Sequence, residues 1–231
     1  MLGFVRTLAI ALFTTGAAYA DDYPIVVELF TSQGCSSCPP ADELLAQLAD
    51  RDDVIPLALH VDYWDYIGWK DEFALPLHTD RQRRYSASAG KTMVYTPQMV
   101  VGGVEHLIGY QPMQLADTLN RIRERQKPVG LEVSKSGDQL QVEINPAREV
   151  GGPVVVQLVR FNESATVKIT RGENRGRTIT YSNIVTSWEQ LALWDGSSPL
   201  SVETEVAGPQ SVAVILQSGG NGPILAAAQV R

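Results

Sequence analysis

One stretch near the amino end limits the possible folds of this chain more than any other. Residues 25–30 (Ile-Val-Val-Glu-Leu-Phe) form a short run that is mostly apolar and predicts a strand buried on both faces. Cys35 and Cys38, both cysteines of the chain, follow in a polar turn. Leucines between positions 44 and 48 then recur at the spacing of an amphipathic helix. The cysteines therefore lie where a strand leads into a helix.

This position predicts different chemistry for the two cysteines. Unpaired amides and the positive end of the helix dipole stabilise a thiolate ahead of a helix, so we predict that Cys35 is the nucleophile. Cys38 lies one turn further in, close enough to form a disulfide and shielded, as suits a resolving thiol. The alternative is a permanent structural disulfide. A bridge closing so small a loop, however, restricts the unfolded chain little.

The first twenty residues predict export. Met1–Ala20 contains a lone Arg6, an apolar run over residues 8–13 and an Ala-x-Ala site at 18–20, the pattern of a secretory signal. We expect a soluble periplasmic or extracellular protein that begins at Asp21, in a compartment where a disulfide persists. Because no later stretch approaches about 18 uninterrupted apolar residues, no membrane span is predicted in the mature chain.

Chain length and net charge limit the possible number of domains and the possible partners. A chain of 231 residues with 44% hydrophobic content is long enough for one large domain or two small ones. The formal net charge of −7 does not indicate a nucleic-acid partner.

A second apolar run predicts a strand whose following loop lies beside the cysteines. Residues 54–61 read as another buried strand, and strand, helix and strand in succession form a right-handed parallel unit. Loops at the carboxyl ends of parallel strands share one edge, so Asp62, Tyr63 and Trp64 should face Cys35. They are predicted to shape a groove for a peptide or small thiol; simple packing at the loop rim is the alternative.

A helix and a hairpin are predicted next. Residues 79–88 should form a helix that exposes Arg81, Arg83 and Arg84 as a solvated face, with a binding patch as the alternative. After Tyr95-Thr96-Pro97, two short strands over 98–101 and 104–108 flank a Gly-Gly pair, the pattern of a β-hairpin. A further helix should run from Met113 to about Gln126 and stop at Lys127-Pro128.

This order of elements resembles the thioredoxin fold. Cys35-Ser-Ser-Cys38 resembles its redox motif, and Thr96-Pro97 resembles its cis-proline loop. The stretches Glu28–Asp42 and Arg171–Arg177 more closely resemble the secreted proteins grouped as domain of unknown function 1223. The thioredoxin resemblance implies that Pro97 is cis and lies against the cysteines, and that Tyr95, Thr96 and Pro97 touch substrate.

Glu28 interrupts the first strand, where a buried carboxylate must be paired, solvated or protonated. Thioredoxins resembling this chain carry a buried acid near this level that moves protons for the resolving cysteine. Glu28 is a possible proton relay by that resemblance, although alternation along the strand would turn it to the opposite face. The alternative is an ion pair beneath the sheet.

The remaining residues predict a β-rich second unit. Eight short strand-like runs lie between residues 131 and 230, separated by Gly, Pro, Asn and Ser. This spacing is typical of an antiparallel sandwich. The predicted fold class is thus an α/β thioredoxin-like domain followed by an all-β, sandwich-like C-terminal domain. The predicted division is signal peptide 1–20, thioredoxin-like domain 21–128 and β-rich domain 129–231.

The predicted function is exported thiol–disulfide exchange with a protein or small-thiol substrate, without a cofactor and without a metal. A copper-binding protein is one alternative, since two thiolates and one of His60, His78 and His106 suit copper or zinc, although these histidines have no paired ligand spacing. A non-catalytic binding module is the other alternative. The arginines of the 171–177 stretch fit either an anion cradle or a polar hairpin turn, so no site is assigned there.

Overall fold

The computed structural model describes residues 23–125 and 129–230. The predicted signal peptide and the predicted helix stop at residues 127–128 lie outside the described residues. Within those two ranges, no helix is long and apolar enough to cross a membrane.

The amino-terminal half carries the helices. Its elements, in chain order, are β1 (Ile25–Thr31), α1 (Pro39–Leu48), β2 (Val54–His60), a 3₁₀ helix (Asp65–Ile67), α2 (Pro76–Ser88), β3 (Gln98–Val101), β4 (Glu105–Ile108) and α3 (Pro112–Arg123). All residues of β1 and β2 are buried. Each helix has proline at or next to its first residue, where the missing N–H costs little. Local pattern therefore locates these elements well.

The carboxyl-terminal half is built from strands. They are β5 (Val129–Ser136), β6 (Gln139–Pro146), β7 (Val154–Lys168), β8 (Thr178–Trp194), β9 (Leu200–Glu205), β10 (Ser211–Ser218) and β11 (Ile224–Val230). Strands β5, β6 and β9 form a separate three-stranded sheet. The other four join the first half in one eight-stranded sheet, ordered β11-β10-β7-β8-β2-β1-β3-β4.

The predicted fold class is therefore wrong. The protein is mostly β-sheet, its large sheet is mixed, and a small helical thioredoxin-like α/β domain is not evident in the described parts of the chain. The two halves join where β8 runs parallel to β2, with Ala58 opposite Ile184. Pro56 in β2 lacks an N–H for a ladder, and its carbonyl instead accepts a hydrogen bond from Asn183 Nδ2 at 2.8 Å. Strand β2, whose hydrogen-bond ladder is interrupted by Pro56, is thus paired with β8, which lies far along the chain.

Three layers of apolar contact hold the sheet. On one face, α1 and α3 cover the β1–β3 region through residues such as Leu45, Leu115 and Leu119. Farther along that sheet, the three-stranded sheet packs against β7, β10 and β11. The opposite face carries a third core that includes Tyr85 of α2. Since both faces of β1 are covered, every residue of β1 is buried.

Candidate functional site

The two cysteines are joined in a disulfide, with their Cα atoms 5.4 Å apart. The bridge lies between the carboxyl end of β1 and the start of α1, where the sequence predicts it. Cys35 is 1% exposed and Cys38 is fully buried, whereas the intervening Ser36 and Ser37 are exposed. Ser37 Oγ lies 3.4 Å from Cys35 Sγ. The side of the bridge that carries the two serines is therefore the one next to solvent.

Fewer backbone amides are free at this helix start than its position predicts. Pro39 and Pro40 have no N–H, and Cys38 caps the helix through its backbone. The Cys38 N–H donates to the Cys35 carbonyl at 3.3 Å, and the Ser36 N–H donates to Glu173 at 3.4 Å. The two prolines therefore offer no amide to a Cys35 thiolate, and the Cys38 and Ser36 amides already have acceptors.

The predicted substrate-binding residues are brought together beside this edge. The Thr96–Pro97 peptide bond is cis, as the thioredoxin resemblance implies. Because β3 runs antiparallel to β1, Pro97 precedes β3 at the edge where β1 ends. Trp64 Nε1 donates to Thr96 Oγ1 at 2.7 Å, which ties the loop after β2 to the loop before β3.

Two further hydrogen bonds place the other predicted substrate residues. The Tyr63 hydroxyl donates to Gln82 Oε1 at 3.1 Å, and Gln82 Nε2 donates to the Tyr95 carbonyl at 2.7 Å. Asp62 accepts from the Thr79 hydroxyl at 2.6 Å, so its carboxylate is held by α2. Thr79 therefore links α2 to this loop.

Glu28 lies on the side of the sheet that faces α2. Its carboxylate accepts from Arg81 at 2.5 and 2.9 Å and from the Tyr85 hydroxyl at 2.6 Å. Gln217 of β10 also accepts from Arg81 at 3.1 Å. Arg81 is only 2% exposed and lies over the Trp188 ring at 3.7 Å, so the prediction that it is exposed is wrong. The geometry is that of the ion pair given as the alternative for Glu28.

A different acid lies on the cysteine side of the sheet. Asp42 is in α1, one turn after Cys38, and its N–H donates to the Cys38 carbonyl at 3.1 Å. Its Oδ1 accepts from the Thr31 hydroxyl at 2.7 Å, while its buried Oδ2 has no partner among the described residues. Burial raises the pKa of Asp42 to about 7, against lowering by the charge of His60 and the Thr31 hydrogen bond. Asp42 is thus poised to exchange a proton near neutral pH.

A buried histidine and aspartate support the cysteine turn. His60 Nδ1 lies 2.7 Å from Asp71 Oδ2, and Asp71 Oδ2 also accepts from the Gln33 N–H at 2.8 Å. Trp69 Nε1 donates to Gln33 Oε1 at 2.7 Å. His60 Nε2 is buried without a partner among the described residues, as is Asp42 Oδ2. Gln33 Nε2 and Asn174 Oδ1 are also buried without a partner among the described residues, so four such polar atoms lie around the cysteine turn.

His78 and His106 each have a hydrogen-bond partner of their own. His78 Nδ1 donates to the His60 carbonyl at 2.9 Å, and burial lowers the pKa of His78 to about 4. His106 Nδ1 lies 3.1 Å from Gln98 Nε2. Within residues 23–125 and 129–230, no three His, Cys, Asp or Glu side chains are grouped so that they could hold a metal ion.

The loop between β7 and β8, residues 169–177, closes over the cysteine turn. Asn174 is buried, and its Nδ2 donates to the carbonyls of Gln33 and Cys35, both at 2.9 Å. The neighbouring Glu173 accepts from the Ser36 N–H. Gly172, at φ 73°, lies so close to Trp69 that an added Cβ would be 3.2 Å from the Trp69 Cβ. The β7–β8 loop is therefore part of the site.

Sequence reasoning missed three residues here: Asp42, Glu173 and Asn174. A helical projection of α1 carries the signal for Asp42, because it lies three residues before buried Leu45 on the apolar stripe. Glu173 and Asn174 carry no comparable local signal, since their partners lie about 140 positions away, at separations of 137 and 139 residues. Their part in the site follows from tertiary structure.

Comparisons with known proteins connect this chain to a family. The sequence profile of a family described as "Protein of unknown function (DUF1223)" matches residues 26–217. A solved structural-genomics protein from Agrobacterium tumefaciens is 32% identical with a TM-score of 0.76, over 89% of this chain and 93% of that one. HBP35 of Porphyromonas gingivalis is 16% identical with a TM-score of 0.63, over 90% of this chain and 74% of that one, a likeness of fold alone. No curated protein matches this chain.

Proposed function

The chain belongs to the DUF1223 family, and from that premise we propose that it is an exported thiol–disulfide oxidoreductase acting on protein or small-thiol substrates. The observation that carries the proposal is the Cys35–Cys38 bridge at the junction of β1 and α1, reached through two exposed serines. So small a loop gains little stability from a bridge, which favours a reactive role over a structural one. Trp64, Tyr63 and the Tyr95-Thr96-Pro97 segment form the wall on which a substrate lies.

Exchange proceeds through a mixed disulfide. In the dithiol form, the Cys35 thiolate attacks one sulfur of a substrate disulfide; a Cys35–substrate bond forms as the substrate bond breaks and one substrate thiolate leaves. Cys38 then loses its proton and attacks the Cys35 sulfur, which restores the bridge and releases the second substrate thiolate. Two electrons pass from the cysteine pair to the substrate, and the reverse sequence oxidises a substrate dithiol.

Asp42 is the proton acceptor for Cys38 in this proposal. The buried Cys38 thiol has to lose a proton before it can attack, and Asp42 lies one helical turn away with an unpaired carboxylate oxygen. A pKa of about 7 leaves the Asp42 carboxyl close to half ionised at neutral pH. Glu28 is less suited to this role because Arg81 and Tyr85 already occupy both of its oxygens. The predicted relay function is therefore reassigned from Glu28 to Asp42.

A trapping experiment tests the proposal. The Cys38→Ser variant, expressed with its leader, lacks the resolving thiol and should accumulate mixed disulfides through Cys35. Non-reducing gels and mass spectrometry identify the captured proteins or small thiols. The matched control, Cys35→Ser with Cys38→Ser, should capture nothing.

Purified Cys38→Ser tests directly whether Cys35 reacts with a disulfide. Incubated with glutathione disulfide, it should gain one glutathione at Cys35 within minutes to hours, the range of uncatalysed exchange or faster. A protein that captures no partner in cells and also fails to react with glutathione disulfide is not a thiol–disulfide oxidoreductase.

A further inference from the structure

We propose that the β7–β8 loop makes the cysteine pair a reductant, because Glu173 opposes ionisation of Cys35 while Asn174 holds the cysteine turn in shape. The inference rests on the proposed function and specifies its direction. Two electrons pass from the dithiol to a substrate disulfide, which is cleaved to two thiols. A dithiol reductant of the same compartment then reduces the Cys35–Cys38 bridge and is itself oxidised to a disulfide.

The start of α1 has few backbone N–H groups that could stabilise a thiolate. A strongly acidic thiol at a helix start is stabilised by free N–H groups that point at the sulfur. Here Pro39 and Pro40 remove two of them, and the Cys38 N–H is paired with the Cys35 carbonyl. The thiolate of Cys35 consequently receives less stabilisation than its place in the chain suggests.

The carboxylate of Glu173, in the β7–β8 loop, places a negative charge beside the cysteine turn. Glu173 Oε2 is 3.4 Å from the N–H of Ser36, the residue next to Cys35. A carboxylate at this position takes up one more amide and repels a thiolate. Because Glu173 is exposed, solvent screens the repulsion and it is modest.

Other charged groups near the turn act on Cys35 in both senses. Asp42 and Asp71, beneath the turn, carry negative charge when ionised and act in the same sense as Glu173, while a protonated His60 would oppose them. The arginines of the loop are exposed and, across the described ranges, form no ion pair that would fix them beside Cys35: Arg171, Arg175 and Arg177. The fixed partner of the turn is therefore the carboxylate.

How readily Cys35 ionises affects how readily the dithiol donates electrons. A disulfide is a strong oxidant when its dithiol form is stabilised, as happens when one thiol ionises readily. Withholding that stabilisation favours the disulfide and makes the dithiol a better electron donor. Asn174 contributes by bonding the Gln33 and Cys35 carbonyls, which keeps the turn in the geometry that Glu173 contacts.

The test compares Glu173→Gln with the wild-type mature protein in two measurements. Alkylation of the reduced protein by iodoacetamide over a pH series reports the pKa of Cys35, which should be at or above the ordinary thiol value of about 8.5. Equilibration with reduced and oxidised glutathione reports the dithiol fraction. Glu173→Gln should lower the Cys35 pKa and, in glutathione buffer at about pH 9.5 where the Cys35 thiolate is populated, shift the equilibrium about twofold to threefold toward dithiol.

Matched controls separate this effect from a general loss of charge. Glu203→Gln removes the same charge from an exposed position in β9, in the other sheet, and should change neither quantity. Arg175→Gln removes a positive charge from the β7–β8 loop and should move the equilibrium slightly the other way or not at all. In about 1 M salt the difference between Glu173→Gln and wild type should shrink, since screening then acts over about 3 Å.

The outcomes distinguish the inference from the proposed function. A wild-type Cys35 pKa well below 7, or equal effects of Glu173→Gln and Glu203→Gln, would overturn the inference and leave exchange activity standing. A bridge that never equilibrates with glutathione would instead contradict the proposed function. Because Glu173 is an exposed residue, its substitution leaves the core unchanged and the comparison is made between folded proteins.

Discussion

Two buried acids on opposite faces of one sheet differ in how completely their charges are matched. Glu28, on the α2 face, has Arg81 on both oxygens and the Tyr85 hydroxyl as a third donor. Asp42, on the α1 face, has a single hydroxyl donor and one buried oxygen without a partner among the described residues. The pKa of Asp42 is accordingly raised by burial to about 7. A matched buried charge contributes to structure, whereas an unmatched one is available for proton transfer.

The same contrast extends to the surroundings of the two acids. The Glu28 side joins α2 to β10 through Gln217, which contacts both Arg81 and Tyr85, so the network ties the two halves of the chain together. The Asp42 side lies beneath the disulfide, with His60 Nε2 also unpaired within the described part of the chain. The first network should therefore tolerate changes in pH, and the second should respond to them.

The largest expected effect is loss of the matched pair. Arg81→Met leaves the Glu28 carboxylate buried beside apolar groups and should lower the free energy of unfolding by about 3–5 kcal/mol. Urea unfolding followed by circular dichroism measures it. A double variant, Arg81→Met with Glu28→Gln, removes the stranded charge and should recover part of the loss; no recovery would mean that packing against Trp188, not charge matching, dominates.

The second effect should have the opposite sign. The pKa of Asp42 is raised in the folded state from 3.8 to about 7, so its contribution to stability is fully present below pH 3.8 and is lost as pH rises through about 7. Asp42→Asn should therefore raise the free energy of unfolding at pH 8 by about 2–4 kcal/mol and change it much less at pH 4. Equal effects at both pH values would contradict the raised pKa.

Asp42→Asn should leave the protein stably folded and still slow the attack of Cys38 on the mixed disulfide. Without a proton acceptor, attack by Cys38 on the mixed disulfide should slow by about a hundredfold at pH 7, since positioned acid–base groups commonly contribute at least that much. Rapid quenching of single-turnover reactions with glutathione disulfide follows the loss of the mixed disulfide. A rate equal to that of wild type would remove Asp42 from the mechanism.

A smaller loss is expected in the β7–β8 loop. Asn174→Ala deprives the Gln33 and Cys35 carbonyls of their side-chain donor and should destabilise the protein by about 1–3 kcal/mol. Proteolysis at the cysteine turn should increase with it. Unchanged unfolding and unchanged proteolysis would show that water replaces the amide at no cost.

The smallest effect should come from the exposed face of α2. Arg83 pairs with Asp80 at 3.2 Å, with more than half of each side chain in solvent. Arg83→Met should change the free energy of unfolding by about 0.5 kcal/mol or less. Because Arg81 lies in the same helix, a comparable loss in both variants would contradict the distinction between a matched buried pair and a solvated face.

Local pattern predicted those parts of the protein whose partners are close in sequence. The β1–α1–β2 unit, the cysteines at its first turn and the β3–β4 hairpin follow from runs of fewer than about twenty residues. The same pattern misplaced Arg81, because its exposure was inferred from charge alone while its partners lie 53 and 136 positions away in Glu28 and Gln217. A buried arginine needs a partner that a local pattern does not identify.

By itself, the sequence determined that a strand, a Cys-x-x-Cys turn and a helix occur in that order, because periodicity and turn chemistry are local properties. Only tertiary structure decided that β8 joins β2, that strands from both halves of the chain share the eight-stranded sheet, and that Asn174 and Glu173 cover the disulfide. Strand pairing and hydrogen bonds across more than a hundred residues depend on which edges and carbonyls remain unsatisfied in the assembled fold. That selection is made by the whole chain.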